Sequence, residues 1–162
     1  MGHVIIMSGV SGSGKSTLAR KLVDDFVLSG RFLEDSKIVS ADNYFLMNNE
    51  YRFDPAKLSE AHNECFASFI YSLRSGYNLV VVDNTNTTNE EIAPYYLGAT
   101  AFGYTAEIIT ISADKDDLEE LEILALRNKH NVPLKLIQLQ ANLLASRQLL
   151  PWWKQSVVPP EG

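Results

Sequence analysis

Gly9-Val10-Ser11-Gly12-Ser13-Gly14-Lys15-Ser16-Thr17 follows a short apolar run, Val4 to Met7, and precedes a segment with Leu18, Leu22 and Phe26 at helical spacing. A strand, a glycine-rich turn and a helix in that order place consecutive backbone N–H groups around one anion. The positive end of the helix dipole adds to them. Two fixed glycines followed by a lysine and a hydroxyl residue make this the P-loop pattern. The spacing gives each residue a role toward ATP and Mg²⁺. Gly9, Gly12, Ser13 and Gly14 form the cradle, Lys15 reaches the β- and γ-phosphates, the Ser16 hydroxyl ligates Mg²⁺, and Thr17 is available to the α-phosphate.

Working outward, the same alternation continues. Val4 to Met7 suits a central parallel strand buried on both faces. Ser16 to Leu28 reads as a helix stopped by Gly30, and Ile38 to Ser40 as a second strand. Asp54-Pro55 opens a long helix with Leu58, Ala61, Cys65, Phe66, Phe69, Ile70 and Leu73 on one side, and Gly76 stops it. Leu79 to Val82 is a third strand, and Thr88 with Glu91 fits a capping box for the helix after it. Thr105 to Ile111 is a fourth strand. The acidic stretch Asp114 to Glu122 begins a helix ending near Lys129-His130, where carboxylates suit the helix N-terminus. Asn131-Val132-Pro133 then starts a last helix expected to reach Leu150, ended by Pro151. The expected fold is a doubly wound α/β P-loop NTPase fold, with a parallel sheet, helices on both faces and a helical lid near the C-terminus. A single domain over residues 1–162 is expected, with the lid at about 114–150.

Composition sets the class without naming a function. Hydrophobic residues make up 46% and charged residues 21% of the 162-residue chain, an ordinary globular balance that excludes a low-complexity reading. A single cysteine, Cys65, allows no internal disulfide, and no secretory leader precedes the first strand, so a cytoplasmic location is expected. The apolar runs are too short to span a bilayer. A net charge of −6 argues against nonspecific coating of nucleic acid. From Ile123 to Pro160, however, no Asp or Glu occurs while Arg127, Lys129, Lys135, Arg147 and Lys154 do, a stretch that either faces phosphates or forms a solvated helical face.

Three side chains complete the chemistry a phosphate acceptor needs. A group must take the acceptor's proton, and a second acid must stand near the metal, both at strand C-termini. Asp42, in Ser40-Ala41-Asp42-Asn43-Tyr44, follows the second strand and is either that base or a turn carboxylate. Asp83, in Val82-Asp83-Asn84-Thr85-Asn86, ends the third strand in the Walker-B position beside the metal, and Asn84 could share its role. Arg127, in Leu126-Arg127-Asn128-Lys129-His130-Asn131-Val132-Pro133, lies at the junction of two helices where a lid could hinge. It is either the cation on the transferring phosphoryl group or one that neutralises a helix C-terminus.

Together the P-loop, the Ser-x-Asp-x-Tyr segment, the Asp-Asn-Thr-Asn strand end and the Arg-Asn-x-His-x-Val-Pro segment resemble the polynucleotide 5′-hydroxyl kinase family from about Val4 to Leu150. That resemblance implies ATP- and Mg²⁺-dependent transfer to a primary hydroxyl on nucleic acid. Asp42 would be the general base, Lys15 and Arg127 would stabilise the phosphates, and Asp83 would orient the acceptor or the metal water. The small format also resembles phage kinases acting on hydroxymethylated pyrimidines in DNA. The pattern departs at Phe45, where the phage end-healing enzyme has an arginine. Phe45, Tyr44 and Tyr51 either stack on a base or belong to the core. Two other readings share the motifs: a small-molecule kinase, and a nucleotide-dependent binding module in which Trp152 and Trp153 mark a partner surface.

Overall fold

In a computed structural model, which describes residues 2–160, the chain runs β1 (His3–Ser8), α1 (Lys15–Leu28), β2 (Ser36–Val39), a 3-10 turn (Ala41–Phe45), β3 (Leu46–Met47), β4 (Glu50–Tyr51), α2 (Leu58–Arg74), β5 (Leu79–Asp83), α3 (Asn89–Ala101), β6 (Thr105–Ile111), α4 (Leu118–Arg127), α5 (Leu134–Ser146) and β7 (Gln155–Val158). Five strands form one sheet in the order β2-β5-β1-β6-β7, with every neighbouring pair parallel. This is the α/β P-loop architecture expected from the alternation of apolar strands and amphipathic helices.

Both faces of the central strands are buried because both are apolar. Val4 and Ile6 of β1 with Val80 and Val82 of β5 pack beneath α2 and α3, against Ala61, Phe69, Ile92 and Ala99. Ile5, Met7, Leu79 and Val81 point to the opposite face, against Ala19 and Val23 of α1. This period-2 split of a continuous apolar run is what a central parallel strand requires. A third cluster joins Val10 of the glycine-rich turn to Leu121 and Leu124 of α4 and Ile137 and Ala141 of α5. The helical pair α4–α5 is therefore seated directly on the P-loop.

Several sequence expectations hold to within a residue or two, and their caps explain why. Asp54 accepts the Ala56 N–H ahead of α2, and Thr88 accepts the Glu91 N–H at 3.3 Å. The Glu91 carboxylate takes the hydroxyls of Thr87 and Thr88 at 3.1 Å, so the box closes through side chains. Gly30 and Gly76 follow α1 and α2 at φ 90° and 81°.

The C-terminal third differs from expectation. The last helix stops at Ser146, not Leu150, because Arg147 leaves it with an extended backbone and turns its guanidinium into the interior. Asn131 does not cap α5; it adopts a left-handed φ of 55°, and Pro133 stands just before the first helical residue. Gln155–Val158 is a fifth strand at the sheet edge, and Leu46–Met47 pairs with Glu50–Tyr51 in a small hairpin. Trp153 is buried against Tyr96 with ring centroids 5.3 Å apart, whereas Trp152 is exposed. Among the described residues no helix is long and apolar enough to cross a membrane.

Candidate phosphoryl-transfer site

Strand register brings the predicted residues to one edge. In the ladder Met7 lies opposite Asp83 and Val39 opposite Val82, so the P-loop, the Asp42 turn and the end of β5 all emerge at the carboxyl edge of the sheet. One cleft of about 170 Å³ there is lined by Lys15, Ser16, Thr17, Asp42, Asp83 and Arg127, together with Gly12, Gly14 and the 128–132 loop. Gly9 and Ser13 are buried and do not line it.

The glycine turn is held open by backbone geometry. Gly12 and Gly14 have φ of 81° and 97°, which disfavour side chains. A Cβ on Gly12 would overlap the Leu124 carbonyl of α4, so this glycine also sets how closely α4 approaches. Ser13 Oγ is buried without a hydrogen-bond partner among the described residues. Lys15 is only 9% exposed, and its ammonium donates to the Val10 carbonyl at 2.8 Å. Burial pulls the Lys15 pKa down to about 8, with Asp83 and Asp42 partly offsetting it. A cation held on the loop it serves, beside an unsatisfied hydroxyl and glycines whose positive φ lets the backbone curl, fits an anion such as the phosphates of ATP.

Ser16 Oγ donates to Asp83 Oδ2 at 2.7 Å, so the two residues expected to hold Mg²⁺ are adjacent. Burial pushes the Asp83 carboxyl up, against the Ser16 hydrogen bond and the Lys15 charge, which pull it down. Among the described residues no three His, Cys, Asp or Glu side chains converge as a metal cage. A hydroxyl with one carboxylate suits Mg²⁺, which completes its shell with phosphate oxygens and water.

The Asp-Asn-Thr-Asn segment proves to be a brace. Asn84 Oδ1 accepts the Ala41 N–H at 2.9 Å, and its amide donates to Cys65 Sγ, so Asn84 holds the Asp42 turn. Gly9 N–H donates to the Thr85 carbonyl, and Asn86, at φ 43°, donates to the Met7 carbonyl at 2.8 Å. One loop thus fixes the root of the P-loop and the start of the Asp42 turn.

Asp42 is half in solvent, with its N–H capped by Ser40 Oγ at 3.2 Å. Tyr51 Oη donates to Asp42 Oδ1 at 3.2 Å, and His130 Nε2 lies 3.3 Å from Oδ2. Two further cavities flank Asp42: one lined by Arg20 and Lys129, the other, about 260 Å³, by Tyr51, Phe53, Leu58, Val132 and Pro133. Tyr51 and Phe53 lie with ring planes 5° apart. Phe45 is 4% exposed and packs in the core, so it offers no face to an acceptor.

The basic stretch divides. Arg127 and Lys129 reach the cleft. Lys154 lies 3.6 Å from Glu107, by the amino-terminal edge of the sheet, opposite the site. Arg147 is half-buried and donates to Ser8 Oγ, the Asn86 carbonyl and Thr110 Oγ1, all within 2.9 Å. Burial lowers its pKa to about 10. This internal role was not legible in the sequence, since charge runs are normally solvated.

Fold and site together define a kinase-like P-loop domain. The chain belongs to the family described as AAA domain (AAA_33), whose model matches residues 4–144. It is 34% identical over 92 residues to human NEDD4-binding protein 2, a match covering 57% of this chain and 5% of that protein. A putative kinase from Chloroflexus aurantiacus superposes with a TM-score of 0.64 at 17% identity, covering 98% of this chain and 88% of the other. A chain of the Pnkp1/Rnl/Hen1 RNA repair complex superposes with a TM-score of 0.62 at 18% identity, covering 89% of this chain and 44% of that one.

Proposed function

We propose that this chain transfers the γ-phosphoryl group of ATP to a hydroxyl group on nucleic acid, with Asp42 as general base. The observation that carries the reading is the convergence of Lys15, Ser16, Asp83 and Arg127 on one cleft with Asp42 on its wall. A nucleotide-binding module has no need of an unburied carboxylate facing the phosphate site. A kinase needs one within reach of the attacking hydroxyl.

In this reading the P-loop amides and Lys15 bind the β- and γ-phosphates, and Ser16 and Asp83 hold the metal position. Bound Mg²⁺ supplies charge neutralisation on the phosphate oxygens. Asp42 orients the acceptor hydroxyl and takes its proton as attack proceeds, while Arg127 stabilises charge on the transferring group. Residues 114–150, with α4 and α5 at their centre, act as a lid that excludes water.

The nucleic-acid acceptor is supported by the resemblance of the Asp-Asn-Thr-Asn and Arg-Asn-x-His-x-Val-Pro segments to polynucleotide kinases. The Tyr51 and Phe53 rings beside Asp42, where a base can stack, agree with it. A small hydroxylated metabolite is the second reading, favoured by the lack of Lys or Arg among the residues lining that aromatic cavity. Transfer of labelled γ-phosphate to 5′-hydroxyl DNA, 5′-hydroxyl RNA and hydroxymethyluracil-containing DNA tests the acceptor. Labelled ends or bases support the nucleic-acid reading; ATP binding with no transfer to any of the three removes it.

A further inference from the structure

Of the groups that hold Asp42, one comes from the α4–α5 junction. His130 lies in the loop between these helices, and its Nε2 is 3.3 Å from Asp42 Oδ2. Its ring packs on Tyr51 of β4, with centroids 4.0 Å apart and planes tilted by 31°. Tyr51 in turn donates to the other oxygen of Asp42 at 3.2 Å. The carboxylate is therefore gripped on both oxygens by two rings that also touch each other. One ring belongs to the hairpin and the other to the junction that carries Arg127.

The junction loop is built to present that ring. Asn128 donates to the Ala125 and Val132 carbonyls at 2.6 and 3.0 Å and accepts the Val132 N–H at 2.7 Å, closing the loop on itself. His130 Nδ1 is buried without a hydrogen-bond partner among the described residues. A proton there would be a buried donor left unpaired, which is costly. The ring N–H is therefore placed on Nε2, aimed at Asp42.

We propose that His130 is a positioning residue that couples lid closure to the alignment of Asp42: with Tyr51 it clamps the carboxylate only when the α4–α5 junction is seated over the cleft. The proposal rests on the reading of Asp42 as the base. The rotation of an exposed carboxylate is restricted when each oxygen accepts from a separate element, so closure brings Arg127 and an oriented base into place together. Unseating the junction removes the His130 contact and the ring that packs on Tyr51, which leaves Asp42 free to turn away. The other charged and titratable groups near this contact are Lys129 on the same loop, Arg127 of α4, Lys15 and Arg20 of α1, Asp83 of β5 and His62 of α2.

Two measurements on the full chain test the clamp. Long-range ¹H–¹⁵N spectra of the imidazoles, simplified by there being three histidines, are recorded with Mg²⁺ and AMPPNP. The expected result is a proton on His130 Nε2 whose signals shift in Asp42→Asn. An Nδ1–H tautomer, or no response to Asp42→Asn, overturns the proposal with no acceptor required. The second measurement is transfer to 5′-hydroxyl oligonucleotide or, failing that acceptor, to water. His130→Ala is expected to lower kcat about 10-fold or more while the KM for ATP moves less than about 3-fold. His130→Gln, which keeps an N–H near the Nε2 position, is expected to recover most of the loss. In an Asp42→Asn background His130→Ala is expected to add less than about 2-fold. Full kcat in His130→Ala, or an additive loss in the Asp42→Asn background, contradicts the clamp. Full activity in Asp42→Asn itself contradicts the base assignment instead.

Discussion

Lys15 shows how one side chain carries opposed demands. Its ammonium must be buried to meet phosphate, yet the burial that leaves it 9% exposed lowers its pKa to about 8. The unfolded chain holds that proton to about pH 10.4, so it binds more protons than the folded chain between roughly pH 8 and 10. Stability should therefore rise with pH across that window, and below it Lys15 costs the fold a constant amount on the order of 3 kcal/mol. Lys15→Met is expected to raise stability by about 1–3 kcal/mol at pH 7, read by urea denaturation, while abolishing nucleotide binding. Phosphate draws the proton back, so AMPPNP binding should weaken as pH rises through 8 and take up a proton near pH 9. Calorimetry in two buffers of different ionisation enthalpy reads that uptake. At this scale the P-loop was legible because its spacing is dictated by phosphate, whereas Asp42, Asp83 and Arg127 were singled out by strand ends, a helix junction and the family resemblance, and the structure places all three on the same cleft. Asn84 and His130 were not legible, since an amide and an imidazole gain their roles from partners far away in sequence: Ala41 and Cys65 for one, Asp42 and Tyr51 for the other.

Elements were legible in proportion to how completely they are buried. β1 and β5 read as continuous apolar runs because both faces are covered. β7 was missed because Gln155-Ser156-Val157 is exposed at the sheet edge and gains its strand character from pairing with β6. The β3–β4 hairpin was missed because each strand is two residues long, turning through Asn48 and Asn49 at positive φ. α5 was drawn too long because leucines continue to Leu150 at helical spacing, whereas Arg147 ends it by reaching Ser8 and Thr110. The contact between the P-loop and α4 gives a prediction of its own. Gly12→Ala adds a Cβ where the Leu124 carbonyl stands, at a φ of 81°. It should destabilise the protein by about 1–3 kcal/mol and weaken ATP binding, because α4 has to move off the loop. Denaturation and nucleotide titration of the one variant read both effects.

At the scale of the whole molecule, Arg147 ties the end of α5 to the tips of β1 and β6 and to the 86 carbonyl, and so connects the helical pair to the root of the P-loop. Arg147→Ala takes the charged donor from the Ser8 and Thr110 hydroxyls and leaves the 86 carbonyl to the Ser8 hydroxyl, and it should cost about 1–3 kcal/mol, measured as a fall in the denaturation midpoint. The pair α4–α5 meets the nucleotide cleft through Val10, Arg127 and the 128–132 loop, and Gln140 of α5 accepts the Ser11 N–H at 2.9 Å. If α4 and α5 serve as a lid, Mg²⁺ with AMPPNP should slow amide exchange across residues 118–146 more than in α2, as hydrogen-exchange mass spectrometry reads. Unchanged exchange there would make the pair a fixed wall. The central claim is that the cleft transfers phosphate to a hydroxyl through Asp42, and the most direct measurement is label transfer from γ-labelled ATP to the 5′-hydroxyl and hydroxymethyluracil acceptors, with Asp42→Ala beside the unaltered chain. The expected result is transfer by the unaltered chain and a loss of about 100-fold or more in Asp42→Ala with ATP affinity kept. Transfer that persists undiminished in Asp42→Ala, or ATP binding with no transfer to any acceptor, would contradict the account.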